Sequence, residues 1–255
     1  MRVAQTLSLL PFVWFAYTLP SYAAQCSAKS GEHIVPLLEL YTSEGCSSCP
    51  PADQWLSELD TDATKVAPLA FHVDYWNYIG WQDRFSKPEY SQRQRTLAAN
   101  TAGFVYTPQF VLNGKDFRGW NNARLSQATQ RIQGQPSPAQ LQLDTVQSGS
   151  GELTLKATVT VTDSTLAKRV DVYVALYENK LVSKVNAGEN SGSELHHDYV
   201  VRELFGAYPI QAPNAFSKQF NLNAAWKKRD VGAVLFVQDR QTGAILQTLS
   251  LPFCP

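Results

Sequence analysis

The sequence has no excess of either charge: 22 lysines and arginines face 22 aspartates and glutamates. A chain without a net field gives no electrostatic reason to expect nucleic acid or acidic partners. It also lacks a long uninterrupted apolar run. The best candidate, Leu7 to Tyr17, is interrupted by Pro11 and followed by Pro20, and falls short of the roughly 20 apolar residues that a bilayer-spanning helix needs. Cysteine is scarce as well. Of the four present, Cys46 and Cys49 are neighbours and the next is Cys254. No second pair follows at the spacing of a zinc knuckle.

What is present begins with an export signal. Met1-Arg2, a short apolar core and the small residues of Ser21-Tyr22-Ala23 predict a signal peptide over residues 1–23. The mature chain is then exported, periplasmic or secreted, and Gln25 before Cys26 argues against a lipid anchor. In an oxidising compartment paired thiols are the default. If Cys46 pairs with Cys49, then Cys26 and Cys254 are left near the two ends of the mature chain, either joined to each other or as two unrelated thiols. Closing so long a loop would constrain the unfolded chain by roughly 5 kcal/mol in the entropy model, an upper value.

The stretch from Ile34 to Leu59 carries the chemistry. Ile34 to Tyr41 is almost wholly apolar, as a strand covered on both faces is, with Glu39 its one charge. After Thr42-Ser43-Glu44-Gly45 come Cys46-Ser47-Ser48-Cys49, Pro50-Pro51 and a helix with Trp55, Leu56 and Leu59 on one face. Cys46 thus precedes a helix N-terminus, where unpaired N–H groups and the dipole favour a thiolate. Proline lacks the N–H, so Pro50 or Pro51 belongs in the first turn. A second strand runs Val66 to Asp74, and a third opens at Thr107-Pro108 and ends in Asn113-Gly114.

This order of strand, Cys-x-x-Cys helix, strand, helix and Thr-Pro strand resembles the thioredoxin superfamily over Ile34 to Gln133. Glu39 to Asp53 and His72 to Asp83 are similar, more narrowly, to a family of exported bacterial thioredoxin-like proteins with no assigned function. The resemblance implies a cis peptide before Pro108, with Thr107 and Pro108 forming a backbone clamp for substrate. It also implies that Glu39 accepts a proton from Cys49. The residues themselves leave another place for Glu39, paired inside the sheet or facing outward, because a shift of one residue flips the face. Two departures stand out: Gly45 occupies the place of a tryptophan common in thioredoxins, and Ser47-Ser48 is an unfamiliar intervening pair.

Beyond the second strand an aromatic segment, Tyr75 to Phe85, reads either as a substrate-facing wall or as packing between domains. Tyr90 to Ala99 reads as a polar helix with Arg93 and Arg95 on a solvated face. Phe117 to Trp120 reads as a last short strand, and Asn121 to Arg131 as a capped helix. A turn-rich linker, Gly134 to Pro138, closes a thioredoxin-like α/β domain over residues 32–133. From there the period becomes two, predicting six or seven strands of an immunoglobulin-like all-β sandwich over residues 139–252. One segment breaks that rhythm: Asn186 to Phe205 reads as a long loop and then a helical turn that docks on the first domain near the dithiol.

Three functions fit. The leading one is a thiol–disulfide oxidoreductase with Cys46 as nucleophile and Cys49 as resolving thiol, needing no cofactor and acting on protein thiols, disulfides or a redox partner protein. The second is a non-catalytic binding or structural protein with Cys46–Cys49 as a permanent staple. The third is copper(I) handling, the two cysteines being joined by His72, His196 or His197.

Overall fold

A computed structural model describes residues 24–59, 62, 64–100, 103–147, 152–210 and 215–254. The signal peptide expected over 1–23 lies outside the described residues. The chain opens with β1 (Ala24–Lys29), then β2 (Leu37–Thr42), helix α1 (Pro50–Ser57) and β3 (Ala67–His72). Both β2 and β3 are buried at every position, as their unbroken apolar runs require. Next come α2 (Pro88–Asn100), β4 (Gln109–Leu112), β5 (Lys115–Asp116) and α3 (Asn122–Gln133). Asn121 caps α3 by accepting from Arg124 N at 3.0 Å. The rest is strand-rich: β6 (Ala139–Gln147), β7 (Glu152–Val161), the single turn α4 (Ser164–Ala167), β8 (Val170–Glu178) and β9 (Leu181–Lys184). It continues through β10 (Glu194–His197), β11 (Val200–Pro209), β12 (Ala215–Asn221), β13 (Val231–Asp239) and β14 (Ile245–Pro252).

An eight-stranded sheet in the order β14-β13-β8-β11-β3-β2-β4-β5 is the backbone of the molecule. Within it β2 lies parallel to β3 and antiparallel to β4. The side-chain alternation of β2 separates two layers. Leu38 and Leu40 pack with Ala52 and Leu56 of α1 and Leu125 of α3. Leu37 and Tyr41 pack on the other face with Tyr90 and Leu97 of α2. A four-stranded sheet, β1-β6-β7-β12, covers the far end, where Leu141, Leu143, Leu153 and Leu155 meet Val172, Val174, Leu235 and Leu249. Cys26 and Cys254 are joined, with Cα atoms 5.8 Å apart. Their bridge ties β1 to the chain just past β14.

The fold departs from the sequence reading in several places. Strands from before and after residue 138 share the eight-stranded sheet, through the parallel contact of Val200 in β11 with Ala70 in β3, so no break in the sheet marks the expected boundary at 134–138. The segment read as a loop with a helical turn forms β10 and β11 instead, because β8 and β3 offer unpaired edges on either side of it. Strand β5 ends at Asp116, with Phe117 N adding one bond to Phe110 O at 2.8 Å, and Phe117 and Trp120, read as a short strand, pack on the α1 side of the sheet. Arg93, read as solvated, is buried.

Candidate functional site

The parallel strands β2 and β3 end side by side, Thr42 opposite His72, and the chain's reactive groups collect at this carboxyl edge. From Thr42 the backbone turns, with Cys46 N donating to Ser43 O at 3.1 Å and Cys49 N to Cys46 O at 3.1 Å. Cys46 and Cys49 are joined as a disulfide. Cys49 is the cap of α1, with Pro50 and Pro51 as its first residues. The N–H groups of Ala52 and Asp53 both donate to Cys49 O. Two prolines and two spent donors leave little of the anion-binding capacity of a helix start. The polar partner of Cys46 Sγ is Ser48 Oγ, 3.4 Å away.

Both cysteines are fully buried, although an attacking Cys46 needs access to its substrate. The cover arrives from far along the chain. Asn190 Nδ2 donates to Glu44 O at 2.9 Å and to Cys46 O at 3.0 Å, and Glu189 accepts from Ser47 N at 3.0 Å. The segment from Asn186 therefore docks beside the dithiol, as its sequence suggested. Ile79 fills the remaining space: a Cβ on Gly45 would lie 3.1 Å from Ile79 Cδ1, and one on Gly188 3.0 Å from the same atom. Gly188 also has φ +74°, a region that favours glycine.

The aromatic segment divides its duties. Trp76 Nε1 donates to Thr107 Oγ1 at 2.7 Å and Trp81 Nε1 to Glu44 Oε2 at 2.8 Å, while Tyr78 is 83% exposed. The Thr107–Pro108 bond is cis. Pro108 lies in a shallow cavity with Tyr106, Arg118, Gly119 and Trp120.

Glu39 is not beneath the dithiol. Its side chain emerges on the α2 face, where Arg93 donates from Nε to Oε2 at 2.7 Å and from Nη2 to Oε1 at 3.0 Å. Tyr41 OH adds a third bond at 2.8 Å. Burial and then the Glu39 charge hold the Tyr41 phenol well above its usual range. This is the paired-in-sheet position, and it removes Glu39 as the acceptor for Cys49.

Other ionisable groups occupy the α1 side. Asp53, one helical turn after Cys49, accepts from Thr42 Oγ1 at 2.8 Å. His72 Nδ1 lies 2.7 Å from Asp83 Oδ2, and the His72 and His197 rings meet edge-on at 5.0 Å. His197 Nδ1 is 3.8 Å from Asp53 Oδ1 and its Nε2 is 3.6 Å from Glu44 Oε1. All five side chains are buried. Burial alone would lower the His197 pKa, but Asp53 and Glu44 outweigh it and push it up to about 10. Burial would raise Asp83, yet the His72 charge and hydrogen bonds from His72 and the Glu44 and Phe85 N–H groups hold it below the usual carboxylate range. Strand alternation in β10 turns His197 inward and leaves His196 exposed, paired with Glu194 at 3.4 Å. With the disulfide closed, neither sulfur is a thiolate that could hold copper(I). Of the carboxylates, the sequence reading weighed Glu39 alone; the i, i+4 spacing of Cys49 and Asp53 on a helix was the available signal for Asp53.

Residues 37–238 match a family described as a protein of unknown function, DUF1223. The chain belongs to the DUF1223 family. The part matched to DUF1223 contains Cys46, Cys49, Asp53, His72 and His197, and excludes Cys26 and Cys254. Two solved structures are similar in fold. A protein from Agrobacterium tumefaciens is 23% identical with a TM-score of 0.60, the match covering 87% of this chain and 96% of that one. HBP35 of Porphyromonas gingivalis is 17% identical with a TM-score of 0.62, over 88% of this chain and 76% of that one. No curated protein matches this member of DUF1223.

Proposed function

We propose that the chain is an exported thiol–disulfide oxidoreductase whose reactive pair is Cys46 and Cys49, carried on a thioredoxin-like α/β portion followed by an immunoglobulin-like sandwich. The observation that carries this reading is the Cys46–Cys49 disulfide closed at the start of α1, directly after a central strand. The two closed disulfides, which suit an oxidising compartment, agree with it.

A substrate thiolate attacks Cys46 Sγ, the Cys46–Cys49 bond breaks, and its electron pair leaves on Cys49, which takes up a proton. A second substrate thiolate attacks the substrate sulfur of the mixed disulfide and releases Cys46 as a thiolate, accepting a bond from Ser48 Oγ. The substrate dithiol loses two electrons and the Cys46/Cys49 pair gains them. The reverse sequence reduces a substrate disulfide. Either direction requires the cover made by Asn190 and Ile79 to move aside.

Complete burial of both sulfurs favours a second reading, a permanent staple. Equilibration with glutathione redox buffers separates the two. Exchange chemistry places the potential between about −270 and −120 mV, whereas a value below about −300 mV is that of a structural bond and overturns the proposal. Cys49→Ser is expected to accumulate mixed disulfides through Cys46, and Cys46→Ser to accumulate none.

A further inference from the structure

Beside the dithiol lies a set of polar atoms that the redox reading does not use. His72 is fully buried, and its Nε2 has no hydrogen-bond partner. Its Nδ1 is held by Asp83, which is itself fixed by the N–H groups of Glu44 and Phe85, each at 2.9 Å. His197 is also buried, and neither of its ring nitrogens makes a hydrogen bond. Three buried imidazole nitrogens without a hydrogen bond in one cluster are unusual in a protein interior, where polar groups are almost always satisfied.

We propose that His72 Nε2, His197 Nδ1 and the Asp53 carboxylate bind a divalent first-row transition-metal ion, with zinc as the reference ion. One donor atom from each residue lies within 4.8 Å of the other two. The Nδ1 of His197 is 3.8 Å from Asp53 Oδ1, too long for a hydrogen bond. Two ligands on one tetrahedral zinc ion, each at about 2.1 Å, are ~3.4 Å apart, so a small closure of side chains completes the site.

The surroundings match those of a metal centre. Ligating histidines hold their second nitrogen against a carboxylate, which sets the tautomer and the ring orientation. His72 has this brace, Asp83 on its Nδ1 at 2.7 Å, while Glu44 Oε1 faces His197 Nε2 at 3.6 Å without a hydrogen bond. Two imidazoles and a carboxylate select zinc, iron(II) or a similar ion, and leave coordination positions open. Glu44, Asp53 and Asp83 bring three carboxylates into one buried volume, a concentration of negative charge that a divalent cation offsets. Two of the three ligands, Asp53 and His197, line a cavity of about 380 Å³ together with Gln54 and Glu194, among others. The site is independent of the redox reading, because its donors are nitrogen and oxygen while both sulfurs stay bridged.

The test uses the exported, oxidised full-length chain, stripped with a chelator and titrated with Zn2+ alone, with Co2+ as a spectroscopic substitute. One ion per chain is expected, with a cobalt spectrum free of thiolate charge-transfer bands. His196→Ala should leave binding unchanged, since that histidine faces solvent. Asp53→Asn and His197→Ala should abolish it, and Asp83→Asn should weaken it about 10–100-fold through the brace on His72. Thermal melts check that each variant folds; should the ligand variants unfold, the stoichiometry and cobalt spectrum of the unaltered chain decide alone. Absence of stoichiometric binding to the unaltered chain overturns the site. So does a thiolate signature, or undiminished binding in folded Asp53→Asn and His197→Ala.

Discussion

Replacing Arg93 by methionine tests how the two layers around β2 are held. Glu39 has no exposed side-chain surface and Arg93 only 6%. The pair is bidentate, and Arg93 Nη1 also reaches Gln238 Oε1 of β13 at 3.1 Å, with its guanidinium 5.0 Å from the Phe236 ring and 5.1 Å from that of Tyr173. Arg93→Met keeps most of the side-chain length but leaves a carboxylate buried with only Tyr41 OH for company. Breaking one side of such a pair costs about 3–5 kcal/mol, because the remaining charge has lost both water and counter-ion. Adding Glu39→Gln removes that charge while keeping an acceptor for Tyr41, so the double variant should recover about 2 kcal/mol or more. The assay is urea unfolding under non-reducing conditions, with the slope of each transition compared before any free energy is taken from it. A loss below about 1 kcal/mol for Arg93→Met, or the same loss in the Glu39→Gln background, would refute the idea that this pair governs the buried charge.

Two further outcomes follow from the same contacts. Asn190→Ala removes the donor to the Glu44 and Cys46 carbonyls, so Cys46–Cys49 should be reduced severalfold faster by dithiothreitol while Cys26–Cys254 is unaffected; equal rates in both proteins would mean that the cover does not limit access. Asp116 accepts from Arg118 at 2.6 Å, Tyr106 at 2.8 Å and Gln109 at 3.1 Å, and although burial opposes it, these bonds hold its carboxyl below the usual range. A folded pKa below the unfolded value of about 3.9 means that the unfolded chain takes up the proton first. The stabilisation is therefore present above that value and lost as pH falls through the folded pKa. Asp116→Asn should narrow its deficit against the unaltered chain on acidification from pH 6 to pH 3, and a deficit constant with pH in denaturant melts would exclude this source.

Much of the molecule was legible locally. Unbroken apolar runs mark β2 and β3 because only a strand covered on both faces tolerates them, and the alternation of Leu153, Leu155, Ala157 and Val159 marks β7 as half-covered. Steric rules placed Pro50 or Pro51 in the first turn of α1, which takes both, and Asn121 at the cap of α3. The close spacing of Cys46 and Cys49 pointed to their disulfide. These features depend on backbone preference and on covalent reach, which neighbouring residues determine among themselves.

Tertiary structure decided the rest. Whether Glu39 faces α1 or α2 turns on a register of one residue, and the arrival of Arg93 from 54 positions away settled it. Val200, Val201, Leu204 and Phe205 have spacings that suit a helical turn, but the edges of β8 and β3 drew them into β11. Cys46 is buried because Asn190, 144 residues on, closes over it. His72 and His197 meet only because β3 and β10 converge at the same carboxyl edge. Desolvation and charge pairing depend on which groups come to share a volume, and a local stretch of chain carries no record of its distant neighbours.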